Sequence, residues 1–189
     1  MQPIELHSAR LRLRAWRDDD LPAFVVLNAD AEVMRHFPGV MSEAESLALA
    51  ERIRGHFAAH GFGQWVLERH EQPGLIGVLG LQHVSFAAAF TPAVEIGWRL
   101  HRAFWRQGYA LEAAQAALEC AFTRLDLDQV VAFTVPANLP SQRLMQRLGM
   151  QRDADGDFEH PRLPLGHALR PHVLYRLPRV RWQELQDGR

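Results

Sequence analysis

The chain has 189 residues, 48% hydrophobic and 23% charged, which suits one domain with a substantial core. A net charge of −1, from 21 basic and 22 acidic residues, argues against a general nucleic-acid binder, and a single cysteine, Cys120, excludes an intrachain disulfide. The N-terminal stretch MQPIELHSARLRLRAW lacks an apolar leader core and no run approaches the ~20 apolar residues of a membrane span, so a soluble cytoplasmic protein is expected.

Leu11 to Trp16 alternates apolar and polar residues and predicts a strand. Asp18-Asp19-Asp20 supplies cap candidates and Pro22 an early helical residue, for a helix to about Asn28. Ser42 and Glu45 form a capping box, with Leu47, Ala50, Ile53 and Phe57 on the following helix and Gly61 as its stop. Strands are expected at Gln64–Arg69, Leu75–Val84 and Val94–Leu100, as an antiparallel meander. A helix after Gly108 carries Leu111, Ala114, Leu118, Ala121, Phe122 and Leu125 on one face. Val130–Val135 reads as a buried strand, so strand, helix and strand make a parallel crossover. Pro140 opens a short helix with Leu144 and Leu148 inward, ending at Gly149. Phe158 to Arg170 reads as loop and Val173–Leu177 as the last strand. The expected organisation is one domain over 8–180 with a tail at 181–189.

The stretch Phe104-Trp-Arg-Gln-Gly-Tyr-Ala stands at the mouth of the alanine-rich helix with no acidic cap before it. The first amides of a helix lack internal acceptors and carry the positive end of its dipole. Gly108 permits close approach and Arg106 adds charge, so a phosphate or pyrophosphate is the expected ligand; the alternative is a plain tight turn. The pattern is neither a Walker loop nor a dinucleotide fingerprint.

Val94-Glu-Ile-Gly-Trp-Arg-Leu100 followed by Trp105-Arg-Gln-Gly-Tyr-Ala-Leu-Glu-Ala113 resembles the acetyl-CoA motif of the GNAT N-acetyltransferases. Asn138-Leu-Pro-Ser141 with Leu144 and Arg147-Leu-Gly-Met150 resembles the family's next segment, and the match is closest to the Rim type, named for acetylation of ribosomal-protein N-termini. The resemblance runs from Leu11 to Leu177. It implies an α/β (α+β) fold, a mixed, mostly antiparallel sheet of about seven strands flanked by about four helices. It also implies acetyl transfer from acetyl-CoA to an amine, a small molecule or a protein N-terminus, with no metal, by a monomer or homodimer. One departure is Trp105, which stands where the general pattern has Arg or Gln, with Arg106 one place later.

The residues carry that chemistry as follows. An amine must lose a proton before attack, and the departing thiolate benefits from a proton donor. Glu95 is the candidate base, its alternative being an ion pair with Arg99 or a solvated strand position. The resemblance implies main-chain cofactor contacts at Trp98, Arg99 and Leu100, and phosphate contacts from Trp105, Arg106, Gln107, Gly108, Tyr109 and Ala110. Asn138 either holds the pantetheine arm or caps the Pro140 helix, and Ser141 is the candidate acid or a cofactor contact. Met145 occupies the region where many family members carry a tyrosine; Tyr175 is expected to pack on the last strand. His160, His167 and His172 lack zinc spacing and read as loop-packing residues. Cys120 reads as a buried, inert thiol. Two other readings are a non-catalytic acyl-CoA-binding module on this fold and a nucleotide-binding protein using the same loop.

Overall fold

The computed structural model describes residues 3–188; the first two residues of the stretch read as leaderless, and Arg189 of the expected tail, lie outside them. Among the described residues are eight strands in one sheet, ordered β1-β2-β3-β4-β5-β6-β8-β7, and five α-helices. The strands are β1 (Leu6–His7), β2 (Leu11–Arg14), β3 (Gln64–Arg69), β4 (Leu75–His83), β5 (Val94–Leu100), β6 (Gln129–Thr134), β7 (Gln151–Glu159) and β8 (Pro171–Pro178). The helices are α1 (Leu21–Ala29), α2 (Glu43–His60), α3 (Tyr109–Thr123), α4 (Leu139–Arg147) and α5 (Arg179–Asp187). Two compact units are distinguished, Met1–Gln82 with Gly97–Ala117 and His83–Ile96 with Leu118–Arg189.

In the first unit, β1 to β4 pair antiparallel in sequence order, with Leu13 opposite Leu67 and Val66 opposite Val78. Leu11, Leu13, Val66 and Leu67 are fully buried, so β3 is covered on both faces although its sequence alternates on only one. Phe24 of α1 meets Trp16 edge-on, and Phe57 of α2 meets Trp65. The α2 cap forms as expected: Ser42 Oγ accepts from the Glu45 amide, Glu45 accepts from the Ser42 amide, and Gly61 ends the helix at φ 75°. The aspartates before α1 do something else. Asp18–Asp20 form a short 3-10 turn, and Asp20 makes no side-chain cap for α1; its carboxylate is buried and takes both Arg14 Nη atoms at 2.7 and 2.8 Å. Arg14 Nε donates to Glu68 at 2.8 Å, completing a buried charge cluster.

In the second unit, β5 and β6 run parallel with Glu95 opposite Val131, the expected crossover. β6 and β7 each pair antiparallel with β8, with Phe133 opposite Leu174 and Phe158 opposite His172. Phe90, Val131 and Leu174 centre a cluster against which Phe86, Phe133 and Phe158 pack. Phe158 and Glu159, read as the start of a loop, instead close β7. The sequence of β7, Gln-Arg-Asp-Ala-Asp-Gly-Asp-Phe-Glu, shows no apolar period because it is a largely exposed edge strand whose pairing is supplied by β8. The expected tail is the helix α5, which stacks Trp182 on Phe122 at 5.2 Å and bonds the Arg179 amide to the Asp128 carbonyl at 2.8 Å.

These buried titratable groups set a pH dependence. Burial works to raise the Glu68 carboxyl, but the hydrogen bond and charge of Arg14 prevail and hold it below its ordinary 4.5. Burial holds His160 and His172 below their ordinary 6.5. A group depressed in the folded state binds fewer protons than in the unfolded chain, so its stabilisation is present above the unfolded pKa and lost as pH falls through the folded one. Stability is therefore expected to decline as pH drops below about 6.5 and more steeply below about 4.5. Urea midpoints that stay level from neutral pH to about pH 4 would contradict this.

Candidate active site

The first unit builds an outward-facing loop. After β5, a 3-10 turn at Arg102–Phe104 leads through Trp105 to α3. Two side chains pin this path: Trp105 Nε1 donates to the Leu100 carbonyl at 2.8 Å and Gln107 Nε2 to the Ala103 carbonyl at 2.6 Å. Arg106 at φ 59° and Gly108 at φ 85° both lie in the left-handed region, so the chain reverses tightly here. A non-glycine residue in that region is uncommon and marks over-determined backbone. The first helical bond runs from the Glu112 amide to the Gly108 carbonyl at 3.0 Å. Among the described residues, the amides of Gln107, Gly108, Tyr109, Ala110 and Leu111 take no protein acceptor. Trp105, Arg106, Gln107 and Gly108 are exposed.

A carboxylate stands in the first turn of α3 after all, at Glu112, but it is committed elsewhere. It accepts from Ser8 Oγ, the Arg10 amide and the Arg10 guanidinium, each at 2.7 Å. Burial works to raise its pKa, and those donors outweigh it and hold the group below its ordinary value. Its charge is thus neutralised by Arg10, and the helix mouth keeps its positive character. Arg10 also donates to the Gln107 carbonyl at 3.1 Å and lies 4.4 Å over the Tyr109 ring. Neither Arg10 nor Glu112 was singled out from the sequence, because about a hundred residues separate them. Gly77 is a third such residue: a Cβ there would come within 2.6 Å of the Arg99 carbonyl and 2.8 Å of Leu100 Cα, so glycine admits the end of β5 at this depth.

Arg99 does not point to that loop. Its Nη1 donates to Asn28 Oδ1 of α1, and its guanidinium lies 4.4 Å over the Phe37 ring. It joins no ion pair among the described residues, which removes the ion-pair reading of this arginine. Burial lowers its pKa to about 10.

The second unit holds the other candidates. Glu95 sits in β5, half-buried, opposite Val131. Asn138 caps α4: its Oδ1 accepts from the Ser141 amide at 3.3 Å and its Nδ2 donates to Thr134 Oγ1 at 2.9 Å. This ties the end of β6 to the start of α4, and its side chain is spent on that turn. Ser141 lies in the capped first turn. Met145 is buried, with Leu148, whereas Leu144, expected inward, is only partly covered. Tyr175 is buried, its hydroxyl donating to Gln142 at 3.3 Å, as expected for a packing residue. His160 and His172 lie ring to ring at 5.0 Å among Phe86, Phe133 and Phe158; His172 Nδ1 meets the Arg170 carbonyl and His160 Nδ1 the Arg162 amide. Cys120 is a buried free thiol whose pKa burial raises.

A loop of unpaired amides, a left-handed glycine and a free guanidinium fits a diphosphate, the anionic part of coenzyme A. Residues 10–151 match the acetyltransferase (GNAT) domain family. The uncharacterized N-acetyltransferase YnaD of Bacillus subtilis is 29% identical over 95% of this chain and 99% of its own length. A GNAT-family acetyltransferase structure from Bacillus anthracis superposes with TM-score 0.77 at 25% identity, covering 94% of this chain and 99% of that one. RimJ of Mycobacterium smegmatis, solved with CoA-disulfide, shares the fold with TM-score 0.74 at 20% identity over 94% of this chain and 90% of its own. No helix among the described residues is long and apolar enough to cross a membrane. The chain belongs to the GNAT acetyltransferase family and is an acetyl-CoA-dependent N-acetyltransferase.

Proposed function

We propose that the chain acetylates a primary amine, on a small molecule or a protein N-terminus, by direct attack in a ternary complex. The observation that carries the reading is the run of acceptor-free amides from Gln107 to Ala110 at the mouth of α3. These amides and Arg106 hold the diphosphate, and main-chain groups at Trp98, Arg99 and Leu100 hold the pantetheine arm. The bound coenzyme supplies an acetyl thioester. Glu95 accepts the proton that the ammonium must lose, the amine attacks the thioester carbon, and Ser141 hands a proton to the departing thiolate and regains one from the nitrogen as the amide forms. Trp105 and Tyr109 shape the loop through its Leu100 bond and its Arg10 contact. Asn138 acts by holding the β6–α4 turn that carries Ser141.

Thermal shifts with acetyl-CoA, CoA, ATP and NAD test the binding half. Stabilisation by the two coenzyme A species alone is expected. Thiol release across an amine panel tests the transfer half. Binding without release from any amine would instead favour a non-catalytic acyl-CoA-binding module. Glu95→Gln is expected to lower kcat by about 10²-fold or more near neutral pH, with coenzyme affinity nearly unchanged. Equal turnover across the pH range would remove Glu95 as the base.

A further inference from the structure

Arg99 and Asn28 form a cationic site that the protein itself leaves incomplete. Asn28 is fully buried in α1, and its carbonyl accepts the Met41 amide at 2.9 Å, which fixes its position. Its Oδ1 accepts from Arg99 Nη1, while its Nδ2 has no hydrogen-bond partner. Arg99 Nε is likewise buried and unpartnered. Phe37, in the segment between α1 and α2, lies against the guanidinium face, so a further partner must meet the group along its edge. The neighbouring acids are spent: Asp30 pairs with Arg102 at 2.7 Å and Glu32 with Arg35. A half-buried cation without a counter-charge, its Nε sealed from solvent beside a buried amide donor without an acceptor, is costly unless an anion completes it.

The geometry points to a carboxylate on the acceptor as that anion: Arg99, assisted by Asn28 Nδ2, recognises a carboxylate-bearing amine, an amino acid or a peptide with an acidic group. This rests on the acetyl-transfer reading of the preceding section. A planar guanidinium edge matches the two oxygens of a carboxylate, and the asparagine amide adds a further donor. A phosphate dianion would bring twice the charge to a single cation. Arg99 lies on β5, the strand to which the coenzyme contacts are assigned, with its side chain turned towards α1 through the bond to Asn28.

Selectivity ratios test this, since each ratio cancels changes in coenzyme binding and in the amount of folded enzyme. Free L-amino acids are compared with their decarboxylated amines, peptides with Asp or Glu near the N-terminus with their Asn or Gln counterparts, and phosphoethanolamine with ethanolamine. At least a tenfold preference for the carboxylate member is expected in the amino-acid or the peptide series, and which series shows it tells a free amino acid from a peptide. Arg99→Gln and Asn28→Leu should each bring the ratio close to one. Titration calorimetry of the N-acetylated products, in the presence of CoA, reads the same preference without turnover. Equal use and equal binding of charged and neutral members, a preference for phosphate, or a preference intact in Arg99→Gln would overturn the inference. Carboxylate-dependent product binding with no acetylation of any amine would uphold the anion site and sink the transfer reading instead.

Discussion

Replacing Arg14 with alanine is expected to destabilise the protein by about 3–5 kcal/mol, the cost of removing one member from a buried charge cluster. Arg14 is 2% exposed and bonds Asp20 through both Nη atoms, Glu68 through Nε and the Ala15 carbonyl at 3.1 Å. Asp20 and Glu68 are buried with it. Without the guanidinium, two carboxylates would share a desolvated site with only peripheral help, Arg17 lying 3.9 Å from Glu68 and exposed. Burial by itself would lower the pKa of Arg14; the two carboxylates reverse this and raise it, so the cation is retained at every accessible pH. The change should appear as a lower urea midpoint with little change in slope. Adding Asp20→Asn and Glu68→Gln to the alanine variant should recover part of the loss, because the stranded charges are removed along with their partner. A loss under about 1 kcal/mol in the single variant would show that water reaches the site and that the cluster is not effectively desolvated. The cluster also matters for the acceptor side. It fixes the 3-10 turn that starts α1, and α1 carries Asn28.

Gly108→Val should weaken acetyl-CoA binding by about 10–100-fold, on the order of 1.4–2.8 kcal/mol. Gly108 has φ 85°, a conformation in which a β-branched side chain is strained. A Cβ there would also come within 3.3 Å of Arg10 Nη2, the group that neutralises Glu112. The substitution thus strikes twice: it distorts the run of free amides and pushes on the contact that keeps the helix mouth positive. Calorimetry with CoA reads the loss directly. Gly39→Ala, where a Cβ meets nothing within 4 Å, controls for a general effect of added side chains. Unchanged affinity in Gly108→Val would mean that the diphosphate is held elsewhere.

How far the sequence reaches is clearest in three places. The capping box at Ser42 and Glu45 and the stop at Gly61 were legible because each is a local device, complete within a few residues. The glycine-bearing turn at the start of α3 was legible for the same reason, as residue types at one helix start. β7 was not, because an edge strand takes its order from the backbone of β8 and has no apolar face to announce it. α5 was missed likewise, with Trp182 its main apolar anchor against Phe122.

The chain alone determined the family and the α/β (α+β) fold, since motif spacing and hydrophobic period are properties of neighbouring residues. Only the tertiary structure decided what the charges do. Arg14 and Asp20 read locally as a strand residue and a helix cap, yet they meet in a buried cluster with Glu68. Glu112 reads as an ordinary helical acid, yet Arg10 neutralises it from across the chain. Arg99 reads as a main-chain cofactor contact or an ion-pair partner of Glu95, yet its side chain turns to Asn28 and stays without a carboxylate. Electrostatic partnership depends on distance through space and on desolvation, and neither is written in the spacing of residues along the chain.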